Sequence, residues 1–225
     1  MRISGPVLIT GSVSGIGKAT ARRAIACVRC SIVAQRRGGH YPPPCAWVTL
    51  AIMRITITKG ASADSIALER ADGTRAGFAF PKKGPWPHDA YHFFVERELG
   101  MAAGFWGLVA SGMEPDAVQA IAAAGGHASA KRAAEPDPAI VPLLQAERLV
   151  ECFEAASWGG GADDASILAM AEPGWAASHV PPPEGVTDKL AAIRAGLEPF
   201  LAEWSALPES GALTLEWPDN LETRA

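Results

Sequence analysis

Apolar and polar residues alternate over residues 53–58 of this chain, and the same pattern returns at residues 66–68 and 77–80. Such alternation is typical of a β-strand with one buried and one solvated face, because successive side chains point to opposite sides of a strand. An Asp-Gly pair before the last of these segments supplies the residues that a tight hairpin turn favours. Residues 53–80 are therefore predicted to form an antiparallel meander of three strands.

The pattern changes to helical periodicity after this meander, and prolines or acidic residues mark several first turns. Helices are predicted over residues 87–99, 105–112, 115–124, 138–157, 164–171 and 187–207, and loops over residues 125–135 and 174–185. A last alternating segment, residues 213–217, predicts a fourth strand that pairs with the meander. The long helices would then cover the apolar face of the sheet.

The first fifty residues show a different order of elements. A strand over residues 7–10, a helix over 15–26 and a second strand over 30–34 predict a β-α-β unit. Three consecutive prolines after this unit fix φ and remove amide donors, so regular structure stops there. The fold class is therefore predicted as α+β. An N-terminal β-α-β fragment over residues 1–52 precedes a domain over residues 53–225, an antiparallel meander of about four strands covered by helices.

Charge and aromatic content separate the two segments further. Residues 1–52 hold seven Lys and Arg but no Asp or Glu, whereas the later residues carry 13 basic and all 24 acidic side chains. All seven Phe and six of the seven Trp also lie beyond residue 52. No apolar run reaches the length of a membrane span, and no secretory leader is recognisable, so we expect a cytoplasmic protein without a membrane partner. The basic residues are interspersed with apolar ones, which argues against a specific nucleic-acid partner.

A Gly-rich segment lies between the first predicted strand and the first predicted helix. Such a turn presents backbone amides and the positive end of a helix dipole to an anion, and glycine lets a pyrophosphate approach the backbone closely. The residues predicted to contact a dinucleotide there are Gly11, Ser12, Ser14, Gly15, Ile16 and Gly17.

The spacing Thr-Gly-x-x-x-Gly-x-Gly from Thr10 to Gly17 resembles the opening of the short-chain dehydrogenases/reductases, and the resemblance extends through Arg37. It implies a nicotinamide dinucleotide as cofactor. Arg36 and Arg37 stand where that family meets the adenosine ribose, and cations without a carboxylate imply NADP rather than NAD. The family's Asn-Ala-Gly stretch and Tyr-x-x-x-Lys pair have no counterpart in this chain. Residues 1–52 therefore resemble an NADP-binding remnant that lacks the catalytic part.

His88 and His92 open the first helix of the second segment one turn apart, and Glu96 continues the same line. Two imidazoles and a carboxylate suit a divalent metal. The spacing matches the His-Glu-x-x-His signature of zinc hydrolases, with Asp89 in place of the glutamate that acts as general base. A helical wheel places the two histidines at the edge of the buried arc and Glu96 towards water. Histidines that only pack or cap the helix start are the alternative.

Residues 53–217 resemble a bacterial family of uncharacterised proteins, which implies no activity. The segments that carry this resemblance are Pro-Lys-Lys-Gly-Pro at 81–85, His-Asp-x-x-His at 88–92 and Gly-Phe-Trp-Gly-Leu-Val-Ala at 104–110. Three hypotheses for function therefore stay open. The first is a domain with a structural role or a role in binding an unknown small molecule. The second is a metal-dependent hydrolase that uses the two histidines and the glutamate. The third is an NADP-binding protein similar to short-chain dehydrogenases/reductases.

Overall fold

The computed structural model describes residues 52–124 and 136–218, and all of these residues belong to one compact unit. The predicted β-α-β unit, its Gly-rich segment over residues 11–17, and Arg36 and Arg37 lie outside the described residues. What the sequence indicates about a dinucleotide site there stays a prediction.

Four strands form one antiparallel sheet. β1 covers Ile52–Thr58, β2 covers Ala63–Glu69, β3 covers Arg75–Pro81 and β4 covers Ala212–Pro218. Their order in the sheet is β3-β2-β1-β4, so β1 pairs with β2 on one side and with β4 on the other. The predicted meander and the predicted pairing of the last strand with it are both confirmed.

The alternation along β1 decides which face of the sheet is buried. Met53 and Ile55 are fully buried, whereas Arg54 between them is exposed. Ile55 lies opposite Leu68 of β2 and Leu215 of β4 in the hydrogen-bonded register. Because residues directly opposite one another point to the same side of a sheet, these side chains build one continuous apolar face.

Helices cover that apolar face. Among the described residues the helices are α1 (His88–Leu99), α2 (Phe105–Ala110), α3 (Pro115–Ala124), α4 (Val141–Trp158), α5 (Asp164–Ala177) and α6 (Val186–Ala206), with a short 3-10 turn over Pro138–Ile140. α1 packs against both α4 and α6, and Phe93 of α1 meets Trp217 of β4 edge to face at a centroid distance of 5.8 Å. The α+β class is therefore confirmed. None of the helices described is long and apolar enough to cross a membrane.

α5 is longer than its sequence predicts. Pro173 and Gly174 both disfavour a helix, and a loop was expected over residues 174–185. The helix instead continues through both residues to Ala177, so the loop prediction is wrong for its first four positions. The reason is Trp175, whose ring is buried and whose Nε1 donates to a backbone carbonyl of α4 at 3.0 Å. Burial of this large side chain outweighs the local backbone cost.

Two tryptophans fix the segment that joins β3 to α1. Nε1 of Trp86 donates to the hydroxyl oxygen of Ser205 on α6 at 3.0 Å, and Nε1 of Trp204 on α6 donates to the carbonyl oxygen of Pro85 at 3.2 Å. The start of α1 is thereby held against α6, so that His88 stands at a defined position.

Candidate metal centre

His88 and His92 lie side by side on the first turns of α1, as their spacing predicts. Their ring centroids are 4.8 Å apart, the rings meet edge to face, and the two Nε2 atoms are separated by 3.1 Å. There is room for only one proton between nitrogens this close, so one Nε2 presents its lone pair to the other ring. Both imidazoles therefore direct the same nitrogen into one shared space.

Glu147 of α4 reaches the same space from the facing helix. Its Oε2 lies 3.0 Å from Nε2 of His92 and 3.6 Å from Nε2 of His88. Three potential ligand atoms from two helices thus surround one point, and the group is partly shielded from solvent. The docking of α4 on α1 creates this cluster, since neither helix alone supplies all three atoms.

The other ring nitrogen of each histidine, Nδ1, is held by a carboxylate of its own. Nδ1 of His88 lies 2.9 Å from Oε1 of Glu154 on α4, and Nδ1 of His92 lies 3.0 Å from Oε1 of Glu96 on α1. In the tautomer that this network favours, each Nδ1–H donates to its carboxylate and leaves Nε2 as the ligand atom. Metal-binding histidines are oriented in this way, and the outer carboxylate also makes the imidazole a stronger ligand.

Glu96 differs from its prediction in where it points. The helical wheel places it towards water, yet it is fully buried, and its Oε2 accepts the backbone N–H of Trp106 at 2.8 Å. The cause is the start of α2, which packs directly on this carboxylate. A Cβ added to Gly104 would lie 2.5 Å from Glu96 Oε2, so only glycine fits there. Glu96 therefore lies on the Nδ1 side of His92. It is away from the point where Nε2 of each histidine and Oε2 of Glu147 converge.

The electrostatics of the cluster favour positive charge. Burial lowers the pKa of His92, but hydrogen bonds to Glu147 and Glu96 outweigh it and raise that pKa above its ordinary value. The pKa of His88 is raised in the same way, against burial, by Glu147 and Glu154. Burial raises the pKa of Glu147, but the two histidines lower it further, so its net shift is downward. Carboxylates that stabilise protons on these rings would also stabilise a metal cation in the same place, and the metal would displace the proton from each Nε2 that binds it.

The separations within the cluster match a tetrahedral site. Ligand atoms placed tetrahedrally at 2.0–2.1 Å from a zinc ion lie about 3.3 Å from one another. The three separations in the cluster are 3.0, 3.1 and 3.6 Å. The residues therefore fit such an ion with shifts of a few tenths of an ångström, and three protein ligands leave a fourth position for water or substrate.

A cleft of about 570 Å³ opens beside the centre. His88, Glu147, Glu154 and Asp89 contribute to its wall on one side, and burial raises the pKa of Asp89. Further side chains that line the cleft are Tyr91, Trp86, Trp158, Phe78, Phe80, Gln119, Glu151, Asp64, Lys82 and Lys83. The volume lies in the range of small-molecule sites.

Glu147 is the residue that the sequence reasoning missed. Glu147, Glu151 and Glu154 recur at positions i, i+4 and i+7, so they share one face of α4. A stripe of carboxylates is ordinarily a solvated helix face, which is why the pattern alone does not distinguish a ligand. In the structure the Glu147 side chain is only 18% exposed, because α1 covers it.

Comparison of the chain with protein-family models, with curated proteins and with solved structures gives no significant match. The geometry of the described residues is therefore the guide to their chemistry.

Proposed function

We propose that this domain binds one divalent metal ion, zinc or a similar transition metal, through Nε2 of His88, Nε2 of His92 and Oε2 of Glu147. The observation that carries the proposal is the convergence of these three atoms at separations of 3.0 to 3.6 Å, with a carboxylate on the far nitrogen of each imidazole. Histidines that merely pack would not need this arrangement of five side chains.

The donor set indicates the kind of metal. Imidazole nitrogen suits zinc and its transition-metal neighbours, whereas calcium and magnesium prefer sites made of oxygen atoms. Two histidines and one glutamate are a ligand set of catalytic zinc sites, which keep one position open. The ligand set differs from the one that the sequence suggests in one member, since Glu147 takes the place of Glu96.

Hydrolysis is the reaction class that suits such a site. A zinc ion with three protein ligands lowers the pKa of a water in its fourth position to about 7. His88 and Glu147 both line the cleft, so a substrate in the cleft would lie beside that position. Asp89 lines the same cleft next to His88 and supplies a carboxylate that can accept the proton of the attacking water.

Metal analysis of the purified protein tests the metal site. We expect stoichiometric zinc in the wild-type protein after dialysis against zinc, and loss of that zinc in His92→Ala. His179→Asn is the matched control, because His179 is exposed and has a φ of 56°, which asparagine tolerates. A wild-type protein without bound metal, or an equal metal content in wild type and His92→Ala, would contradict the proposal.

Hydrolysis of p-nitrophenyl acetate tests the reaction class separately. The rate is expected to disappear when a chelator removes the metal, to return with added zinc, and to fall by about 100-fold or more in Asp89→Asn at unchanged zinc content. Equal rates with and without metal would contradict the hydrolase and leave the metal site standing.

A second proposal concerns the chain before residue 52. The spacing from Thr10 to Gly17 favours a dinucleotide at this turn, and Arg36 and Arg37 favour NADP. Titration with NADPH is expected to quench tryptophan fluorescence, and Gly15→Asp is expected to abolish the effect, because a carboxylate repels the pyrophosphate. A wild-type chain that shows no quenching would contradict it.

A further inference from the structure

We propose that the cleft beside the metal centre binds an uncharged aromatic ester or amide, whose carbonyl oxygen accepts a hydrogen bond from the Tyr91 hydroxyl and whose ring packs on Trp158. The inference rests on the proposed function, since it names the substrate class of the same site.

Tyr91 supplies the first observation. It lies on α1 one turn after His88, lines the cleft, and is 1% exposed. Among the described residues its hydroxyl meets no acceptor at full hydrogen-bond geometry. The neighbouring Ser157 hydroxyl, which donates to the carbonyl oxygen of Phe153 at 2.8 Å, offers it only a poorly aligned oxygen. A buried donor without a well-aligned acceptor destabilises the fold, so its presence beside the cleft indicates a ligand oxygen that accepts from it.

Trp158 supplies the second observation. It is the last residue of α4, lines the cleft, and is 66% exposed, although large aromatic side chains are seldom left so open. Its ring meets Trp86 edge to face at a centroid distance of 6.3 Å, and a Cβ on Gly84 would lie 3.0 Å from it. The exposed indole is therefore held in place, and it offers a flat apolar surface to a ligand ring.

The charge of the cleft restricts the ligand further. Lys82 lies 3.6 Å from Asp64, so these two side chains neutralise each other. The residues that line the cleft include five carboxylates and two lysines. A bound dication would bring the number of positive charges to four, which is still one fewer than the number of carboxylates. The excess of carboxylates would repel a dianionic ligand, whereas it would not oppose the binding of an uncharged carbonyl compound. The two features that line the cleft, a buried hydrogen-bond donor and an exposed indole, match such a compound.

The test uses cobalt-substituted protein, whose visible spectrum changes when a ligand enters the open metal position. Benzohydroxamate and acetohydroxamate share the metal-binding group and differ in the ring. We expect benzohydroxamate to bind about 10-fold tighter, since its ring can pack on the indole and the methyl group of acetohydroxamate cannot. Trp158→Ala should reduce this ratio to about 2-fold or less, and Met170→Ala, which removes another exposed apolar side chain of a helix, should leave it unchanged.

Tyr91→Phe should weaken both probes by about 5- to 10-fold and leave their ratio unchanged. It should also bind cobalt as the wild type does, because Tyr91 supplies no ligand atom to the metal centre. Unchanged probe affinity in Tyr91→Phe, an unchanged ratio in Trp158→Ala, or tighter binding of phenylphosphonate than of benzohydroxamate would each overturn this inference alone. A wild-type protein that binds no cobalt would overturn the proposed function, and this inference with it.

Discussion

The two carboxylates on the outer nitrogens of the histidines differ in their surroundings. Glu96 is fully buried and accepts from both His92 and the backbone N–H of Trp106, whereas the Glu154 side chain is 29% exposed. A buried charge that is held by two donors has a fixed geometry and little screening by water. Glu96 should therefore influence the metal centre more strongly than Glu154 does.

Glu96→Gln tests this difference. The amide oxygen can still accept from Trp106, but the negative charge beside His92 is lost, so we expect metal affinity to fall by about 10- to 100-fold. Glu154→Gln should cost less, because its site is partly solvated. Competition with a fluorescent zinc chelator measures both affinities, and Glu172→Gln, an exposed position on α5, is the control. Equal losses in the first two variants would contradict the ranking.

Cys152 on α4 is expected to be unreactive in the folded protein. It is 7% exposed, and burial raises the pKa of its thiol from 9.0 to about 11. Two pKa units correspond to about a 100-fold smaller thiolate fraction at pH 8, so alkylation by iodoacetamide should be slower than in the urea-unfolded chain by at least about that factor. Mass spectrometry of the peptide that contains Cys152 measures both rates, and comparable rates would show that the thiol is accessible.

The same shift makes stability depend on pH. The unfolded thiol loses its proton near pH 9, and the folded thiol keeps it until about pH 11. Protons are therefore bound more tightly in the folded state, and the contribution of Cys152 to the free energy of unfolding is complete below pH 9 and lost as pH rises towards 11.

Among the helices, α5 shows most clearly how packing overrides local preference. It contains Pro173, which has no amide to donate to the preceding turn, and Gly174, which has the highest backbone entropy. The buried ring of Trp175 keeps the segment helical. The backbone penalty is therefore still present in the folded protein, and a substitution can remove it.

Pro173→Ala is expected to raise the free energy of unfolding by about 1–3 kcal/mol, because alanine restores one helical hydrogen bond and removes a steric clash. The side chain of Pro173 is exposed, so no packing is lost. Urea denaturation followed by circular dichroism measures the change. Pro182→Ala, in the exposed connection after α5, should be neutral or slightly destabilising. A less stable Pro173→Ala protein would show that the proline is not a strain in α5.

Particular residues show how much the sequence can predict. The strands follow from alternation at Ile55 and Ile57, and the histidine pair follows from spacing, because both depend on geometry within one element. Glu147 depends on how α4 docks on α1, and the buried position of Glu96 depends on the close approach of α2 at Gly104. Such contacts join separate elements through their packing in three dimensions, so neither periodicity nor spacing within one element contains them.

The molecule as a whole gains a link between its helices when a metal binds. His88 and His92 belong to α1 and Glu147 to α4, so a bound metal would join two helices that pack against each other. A ligand that binds only the folded state stabilises it, by about 2.7 kcal/mol at a free concentration of 100 times its dissociation constant.

Saturating zinc is therefore expected to raise the melting temperature by roughly 5–10 °C, since a chain of this size gains about 2–4 °C per kcal/mol. A chelator should reverse the shift, and His92→Ala should show none, whereas His179→Asn should show all of it. Differential scanning fluorimetry measures these shifts. A zinc-dependent rise that persists in His92→Ala would place the stabilising metal elsewhere.

The position of β4 has a consequence for synthesis of the chain. Its seven residues form one entire flank of β1, yet they leave the ribosome after all the other described elements. Until then a nascent polypeptide carries bare amides and carbonyls along that flank, beside the isoleucines that the sheet later encloses. Unprotected strand edges of this kind recruit other copies. A product clipped before residue 212 would accordingly depend on chaperones to escape precipitation.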